Sequence, residues 1–122
     1  VVTFVGEPKS VVEAAFQGIK RASELIDMSQ HIGTHPRIGA TDVCPIIPVS
    51  GISIEECIEY SNILARKVGL ELNIPVYLYE NSSQKNVNAT MAQIWEAVSK
   101  YKANNKDIST KKWIKPVQKA FT

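Results

Sequence analysis

Apolar and polar positions along this chain alternate between two rhythms. Residues 1–5, Val-Val-Thr-Phe-Val, form a β-branched and aromatic run that Gly6 ends, which predicts a strand. The spacing then lengthens. Val12, Ala15, Phe16, Ile19, Ala22 and Ile26 recur at three- and four-residue intervals and mark one face of a helix. Ser10 and Glu13 have the spacing of a capping box, in which two side chains satisfy the first unpaired amides of that helix. Residues 43–49 predict a second strand. Its Pro45 and Pro48 cannot donate to a ladder, so they belong at edges or irregular positions. Ser53 and Glu56 repeat the capping spacing. Ile54, Cys57, Ile58, Leu64, Ala65 and Val68 then carry an apolar stripe to Gly69, the expected helix stop. Residues 74–79 predict a third strand and 81–86 a polar turn. Val87, Met91, Ile94, Trp95 and Val98 mark a third amphipathic helix. Beyond Tyr101 the pattern dissolves, with Trp113 and Phe121 as isolated apolar points.

Strands alternating with only three helices predict a sheet covered mainly on one face. Both long helical stripes read as core rather than as cofactor boxes. A chain of 122 residues suits one domain with one core. We divide it into a folded unit, 1–103, and a lysine-rich C-terminal tail, 104–122. There is no internal repeat and no low-complexity tract. Val1 reads as the middle of a strand with no initiator methionine before it, so a partial chain is expected.

Composition narrows the setting. The chain is 44% hydrophobic and 21% charged, ordinary for a soluble globular protein. No run approaches the about 18 apolar residues a membrane span needs, and no basic-then-apolar opening marks a signal peptide. Cys44 and Cys57 both sit inside apolar patterns, so both are expected as buried thiols in a reducing, cytoplasmic setting. The glycosylation-type triplets at Asn81 and Asn88 then carry no meaning. The net charge of +2 conceals an asymmetry. Residues 1–98 are acidic overall, whereas residues 99–122 hold seven lysines against Asp107 alone. That end reads as a solvated tail. It lacks arginine and every recognisable nucleic-acid module, so nucleic acid is not an expected partner.

Chemistry gathers in residues 31–45, His-Ile-Gly-Thr-His-Pro-Arg-Ile-Gly-Ala-Thr-Asp-Val-Cys-Pro. Both histidines of the chain, an arginine, an aspartate and two glycines share this stretch. Histidine is the one side chain whose unperturbed pKa, about 6.5, lies near neutrality, so the segment is a candidate for proton transfer. The competing reading is that His35 packs a turn beside Pro36. A metal site does not suit the stretch, because Gly33 and Pro36 oppose the helix that would align His31 with His35, and no third ligand lies nearby.

The runs Leu-Ile-Asp-Met-Ser at 25–29, His-Pro-Arg-Ile-Gly-Ala-Thr-Asp-Val-Cys-Pro-Ile-Ile-Pro-Val-Ser-Gly at 35–51, Ser-Ile-Glu-Glu-Cys at 53–57 and Ile-Pro-Val-Tyr-Leu-Tyr at 74–79 closely resemble the glutamate formiminotransferase family. The resemblance is to its N-terminal subdomain. It covers residues 1–80 in unbroken register, is most specific at His-Pro-Arg-x-Gly-Ala, and fades after about residue 85. It implies an α+β fold, a ferredoxin-like two-layer α/β sandwich, here lacking one strand and one helix upstream of Val1. It also implies transfer of a formimino group between N-formimino-L-glutamate and tetrahydrofolate in histidine breakdown, with the reduced folate as co-substrate and no metal. The implied partners are the C-terminal subdomain of the transferase and a second copy in a homodimer.

Residue by residue, the family's catalytic histidine falls on His35, and His31 falls on a position that supports the loop. Arg37 is the natural bidentate partner of a substrate carboxylate, or else forms a salt bridge with Asp42. Gly39 lets the backbone turn or approach a ligand. Asp42 binds substrate or orients His35. Departures from the pattern are concentrated downstream. The arginine-rich stretch after the third strand is replaced by Asn-Val-Asn-Ala-Thr-Met-Ala-Gln-Ile-Trp at 86–95, and Trp113 to Phe121 keep only a trace of the folate-contacting loop. Two alternatives stay open on that account. One is a non-catalytic binding or assembly module, and the other is a glutamate formyltransferase acting on 5-formyltetrahydrofolate.

Overall fold

The computed structural model describes residues 1–32 and 39–82. The expected third helix over 87–98, the boundary at 103/104 and the lysine-rich tail lie outside the described residues.

Helix α1 spans Pro8–Leu25. Its start departs from the sequence expectation. Pro8 occupies the first turn, where its preset φ and missing N–H carry no cost, so the helix begins ahead of Ser10 and the Ser10–Glu13 box does not form. Glu7 takes the cap position in extended backbone, without a side-chain cap bond. Glu13 instead accepts from Gln17 Nε2 at 2.8 Å and from Lys67 Nζ at 2.6 Å. At the other end Ile26 returns to extended backbone while its N–H still reaches Ala22 O at 2.9 Å. A single 3₁₀ turn, Met28–Gln30, follows. Asp27 starts it by accepting from Ser29 N at 3.0 Å and Ser29 Oγ at 2.7 Å.

Helix α2 spans Ile54–Lys67 and begins as its sequence predicts. Ser53 Oγ accepts from Glu56 N at 3.2 Å, and Glu56 Oε2 accepts from Ser53 N at 2.9 Å, so the capping box is closed in both directions. Glu55 and Glu56 in the first turn and Arg66 and Lys67 in the last complement the helix dipole. Gly69 does not stop the helix. The chain widens into a π turn, Val68–Leu72, and leaves it at Asn73, whose φ of 54° is left-handed. The extra turn keeps Val68 on the buried face at 3% exposure, and asparagine is the side-chain-bearing residue that best tolerates the exit conformation.

The core lies between the helices. Val12, Ala15 and Phe16 of α1 meet Leu64 and Val68, with Ile19, Ile46, Tyr60, Leu72 and Ile74 packed around them. The predicted faces do not enter it whole: at the helix ends Ile26 and Ile54 stay 43% and 42% exposed. Lys67 locks the pair from outside, reaching Glu13 on α1 and lying 4.2 Å above the Phe16 ring. The Gln17 amide and the Lys67 ammonium hold the Glu13 carboxyl below its ordinary value, and the bond to Glu13 raises Lys67.

Residues 1–5, 43–49 and 74–79 form no β ladder among the described residues. A strand exists only where neighbouring backbone groups pair, and Pro45, Pro48 and Pro75 each remove a donor. Ile46 and Ile74 nevertheless bring two of these segments onto the helix pair. Residues 1–5 contribute nothing to the core; Val1, Val2, Phe4 and Val5 are all exposed.

Candidate functional site

Residues of α2, the chain after α1, and the segments around 39–46 and 73–82 line a half-open cavity of about 1050 Å³. Its wall is largely aliphatic, with Ile19, Val43, Ile46, Ile58 and Ala65. Leu64 and Val68 serve both the core and this wall. The volume is at the upper end of the range for small-molecule sites.

Two of the residues singled out from the sequence stand in the wall. Gly39 and Asp42 are both half-buried, and the Gly39 N–H donates to Asp42 Oδ1 over 3.4 Å, a long bond that closes the loop on itself. The conformational reason expected for Gly39 does not hold. A Cβ there would meet Thr41 O at an ordinary 3.5 Å, and its φ is not left-handed. The residue that uses glycine's freedom is Gly51, at φ +68° in the turn before α2. His31 also lines the cavity and is itself exposed. His35 and Arg37 lie outside the described residues, as do the contacts expected between them and Asp42.

Electrostatically the described wall is acidic. Asp27, Asp42 and Glu80 line it together with His31, and no lysine or arginine stands among its described residues. Asp27 is held below the usual carboxylate value, first by the Ser29 hydroxyl, then by the Ser29 amide, with the charge of His31 adding to it. It is therefore an anion throughout the neutral range.

Cys57 is buried as expected, at 5% exposure, but Cys44 is exposed, a correction to the sequence reading. Cys44 lies in a segment without ladder pairing and borders the cavity rather than the core. Its sulfur is still partly withdrawn from water, and that desolvation pushes the thiol up. A raised thiol is a poor nucleophile near neutrality. Tyr79 is half-buried beside it. Burial raises its phenol, and the negative charges that Cys44 and Glu80 can carry add to the effect, so the hydroxyl keeps its proton. Sequence reasoning passed over Tyr79 and the cavity. The one signal in the sequence is the Tyr-x-Tyr alternation at 77–79, which a strand explains equally well.

Among the described residues no three His, Cys, Asp or Glu side chains converge as a metal-binding group, and no helix is long and apolar enough to cross a membrane.

Comparison with known proteins shows the family of the chain. Residues 1–120 match the family described as formiminotransferase domain, N-terminal subdomain. The match runs into the lysine-rich tail, past the point near residue 85 where the motif resemblance fades. The formimidoyltransferase-cyclodeaminase of Mus musculus is 44% identical over 114 residues, 93% of this chain and 21% of that protein. The glutamate formimidoyltransferase of Streptococcus pyogenes is 48% identical over 94 residues, 77% of this chain and 31% of the relative. That of Thermoplasma acidophilum is 42% identical over 113 residues, 93% of this chain and 37% of the relative. The chain thus spans between about a fifth and somewhat over a third of the length of these relatives. It belongs to the formiminotransferase N-terminal subdomain family.

Proposed function

We propose that the protein carrying this chain is a glutamate formimidoyltransferase, moving a formimino group between N-formimino-L-glutamate and tetrahydrofolate. The observation that carries this reading is the family match over residues 1–120, joined to a cavity whose wall contains Gly39 and Asp42, the residues just after His-Pro-Arg. In the reaction an amine of the reduced folate attacks the amidine carbon, a tetrahedral intermediate forms, and the glutamate amine departs. The attacking nitrogen must lose a proton and the leaving nitrogen must gain one. His35 performs both transfers, a contribution typically worth about 10²–10⁴ in rate. Arg37 holds a substrate carboxylate through its two parallel N–H donors. Asp42, already bonded to the Gly39 amide, fixes the loop and orients the His35 imidazole.

The acidic wall favours the formimino cargo over a formyl one. An amidine is protonated and cationic near neutrality, whereas a formamide is neutral. Asp27, Asp42 and Glu80 attract the former and gain nothing from the latter. For the architecture, the packing of Ile46 and Ile74 on the helix pair supports a ferredoxin-like two-layer sandwich with 43–49 and 74–79 in the sheet layer. Residues 1–103 form the folded unit and 104–122 the solvated tail. Assembly with the rest of the transferase, homodimerisation and a cytoplasmic location complete the reading.

The test is formimino transfer to tetrahydrofolate by the complete protein, with His35→Ala beside it. Transfer by the wild type, and its loss by at least about a hundredfold in a folded variant, is the expected result. Unchanged turnover in folded His35→Ala removes that histidine from the mechanism.

A further inference from the structure

The cavity wall is aliphatic and acidic over most of its described extent, but at one place it is aromatic. Tyr77 and Tyr79, two residues apart on the segment after the π turn, are the aromatic side chains among the described lining residues. Phe16 and Tyr60 lie on the core side instead. A half-buried tyrosine facing a large cavity offers a broad apolar surface at little conformational cost. A flat heteroaromatic ring is the ligand chemistry that gains most from such a surface, because ring faces pack on one another in offset geometry.

We propose that Tyr79 supplies the aromatic surface on which the planar pyrimidine ring of the reduced folate packs, making it a specificity-determining residue for the acceptor substrate. This rests on the transferase reading above. The neighbourhood suits the role. Burial, with the nearby Glu80 carboxylate adding to it, opposes ionisation of the phenol, so its O–H stays a donor at working pH. Aliphatic residues such as Ile46 and Ile74 line the same cavity, whose volume of about 1050 Å³ is ample for a ring system. The glutamate donor has no ring, so Tyr79 distinguishes the two substrates.

The experiment compares wild type, Tyr79→Leu and Tyr79→Phe in the complete protein, measuring tetrahydrofolate affinity by calorimetry and KM for each substrate. Tyr79→Leu is expected to weaken tetrahydrofolate binding about tenfold while leaving the KM for N-formimino-L-glutamate within about twofold. Tyr79→Phe keeps the ring and restores the affinity. In the wild type, saturation of the Tyr79 ring protons should transfer to the C6 and C7 protons of bound tetrahydrofolate, next to its planar ring, in an NMR difference spectrum, a readout independent of any variant's folding. Unchanged folate affinity in folded Tyr79→Leu, or no saturation transfer in the wild-type complex, overturns the assignment and leaves the transferase reading standing. A wild-type protein that binds no tetrahydrofolate overturns both.

Discussion

Replacing Phe16 by alanine removes the largest side chain of the described core. Phe16 is 4% exposed and sits where α1 meets Leu64 and Val68. An aromatic side chain of this kind buries about 150–250 Å², which at about 25 cal/mol per Å² corresponds to about 4–6 kcal/mol as an upper bound. Large-to-small truncations of buried phenylalanine cost about 3–5 kcal/mol by comparison, so the two routes agree. The low end is expected here. Leu64 and Val68 also face the cavity, so the surroundings can relax into space already present and shrink the hole left behind. About 3 kcal/mol is a large share of the about 5–15 kcal/mol that holds a domain together. The assay is urea unfolding followed by circular dichroism, where the midpoint falls and the slope is preserved if the native state is otherwise intact. Phe16→Leu conserves most of the volume and should cost less than about 1.5 kcal/mol. A Phe16→Ala loss below about 0.5 kcal/mol, the range of a surface substitution, would show that the α1–α2 contact is not the core.

Ser53→Ala opens the capping box of α2 and should cost about 1 kcal/mol, read as a lower urea midpoint. A Glu13 carboxyl held below its ordinary value stabilises the fold above that value, and the contribution is lost as pH falls through the lowered one. The urea midpoint should therefore drop on acidification below about pH 4.5, and Glu13→Gln should flatten that drop; an equally steep drop in the variant refutes the link. For catalysis, if Asp42 orients His35 as proposed, Asp42→Asn should move the acid limb of kcat/KM to lower pH, because losing that carboxylate disfavours the imidazolium. An acid limb that stays in place makes Asp42 a residue of the loop alone.

Local signals in this sequence translated well and long-range ones did not. The start of α2 was legible because Ser53 and Glu56 need only each other and the first turn. The Ser10–Glu13 spacing was equally clear, yet Pro8 won by starting the helix earlier, which freed Glu13 for a partner 54 residues away. Gly69 carried the usual stop signal. The burial of Val68 and Leu72 favoured a wider turn that ends at Asn73 instead. Strand pairing depends on partners distant in sequence, so β-branched runs predict extended backbone better than a ladder. The candidate site was legible where chemistry is dense, at residues 31–45. The place of Tyr79 in the cavity wall was not, because that wall is assembled from segments distant in sequence.

The bare start of α1 leaves stability unclaimed. Glu7 holds the cap position, but its side chain makes no cap bond, while the shorter carboxylate of aspartate is among the side chains best suited to bond the free amides of the first turn. Glu7→Asp keeps the charge, stays clear of the cavity wall and adds a bond the native helix lacks. An engineer seeking a hardier version of this fold has a position at hand whose improvement asks nothing of the residues that do chemistry.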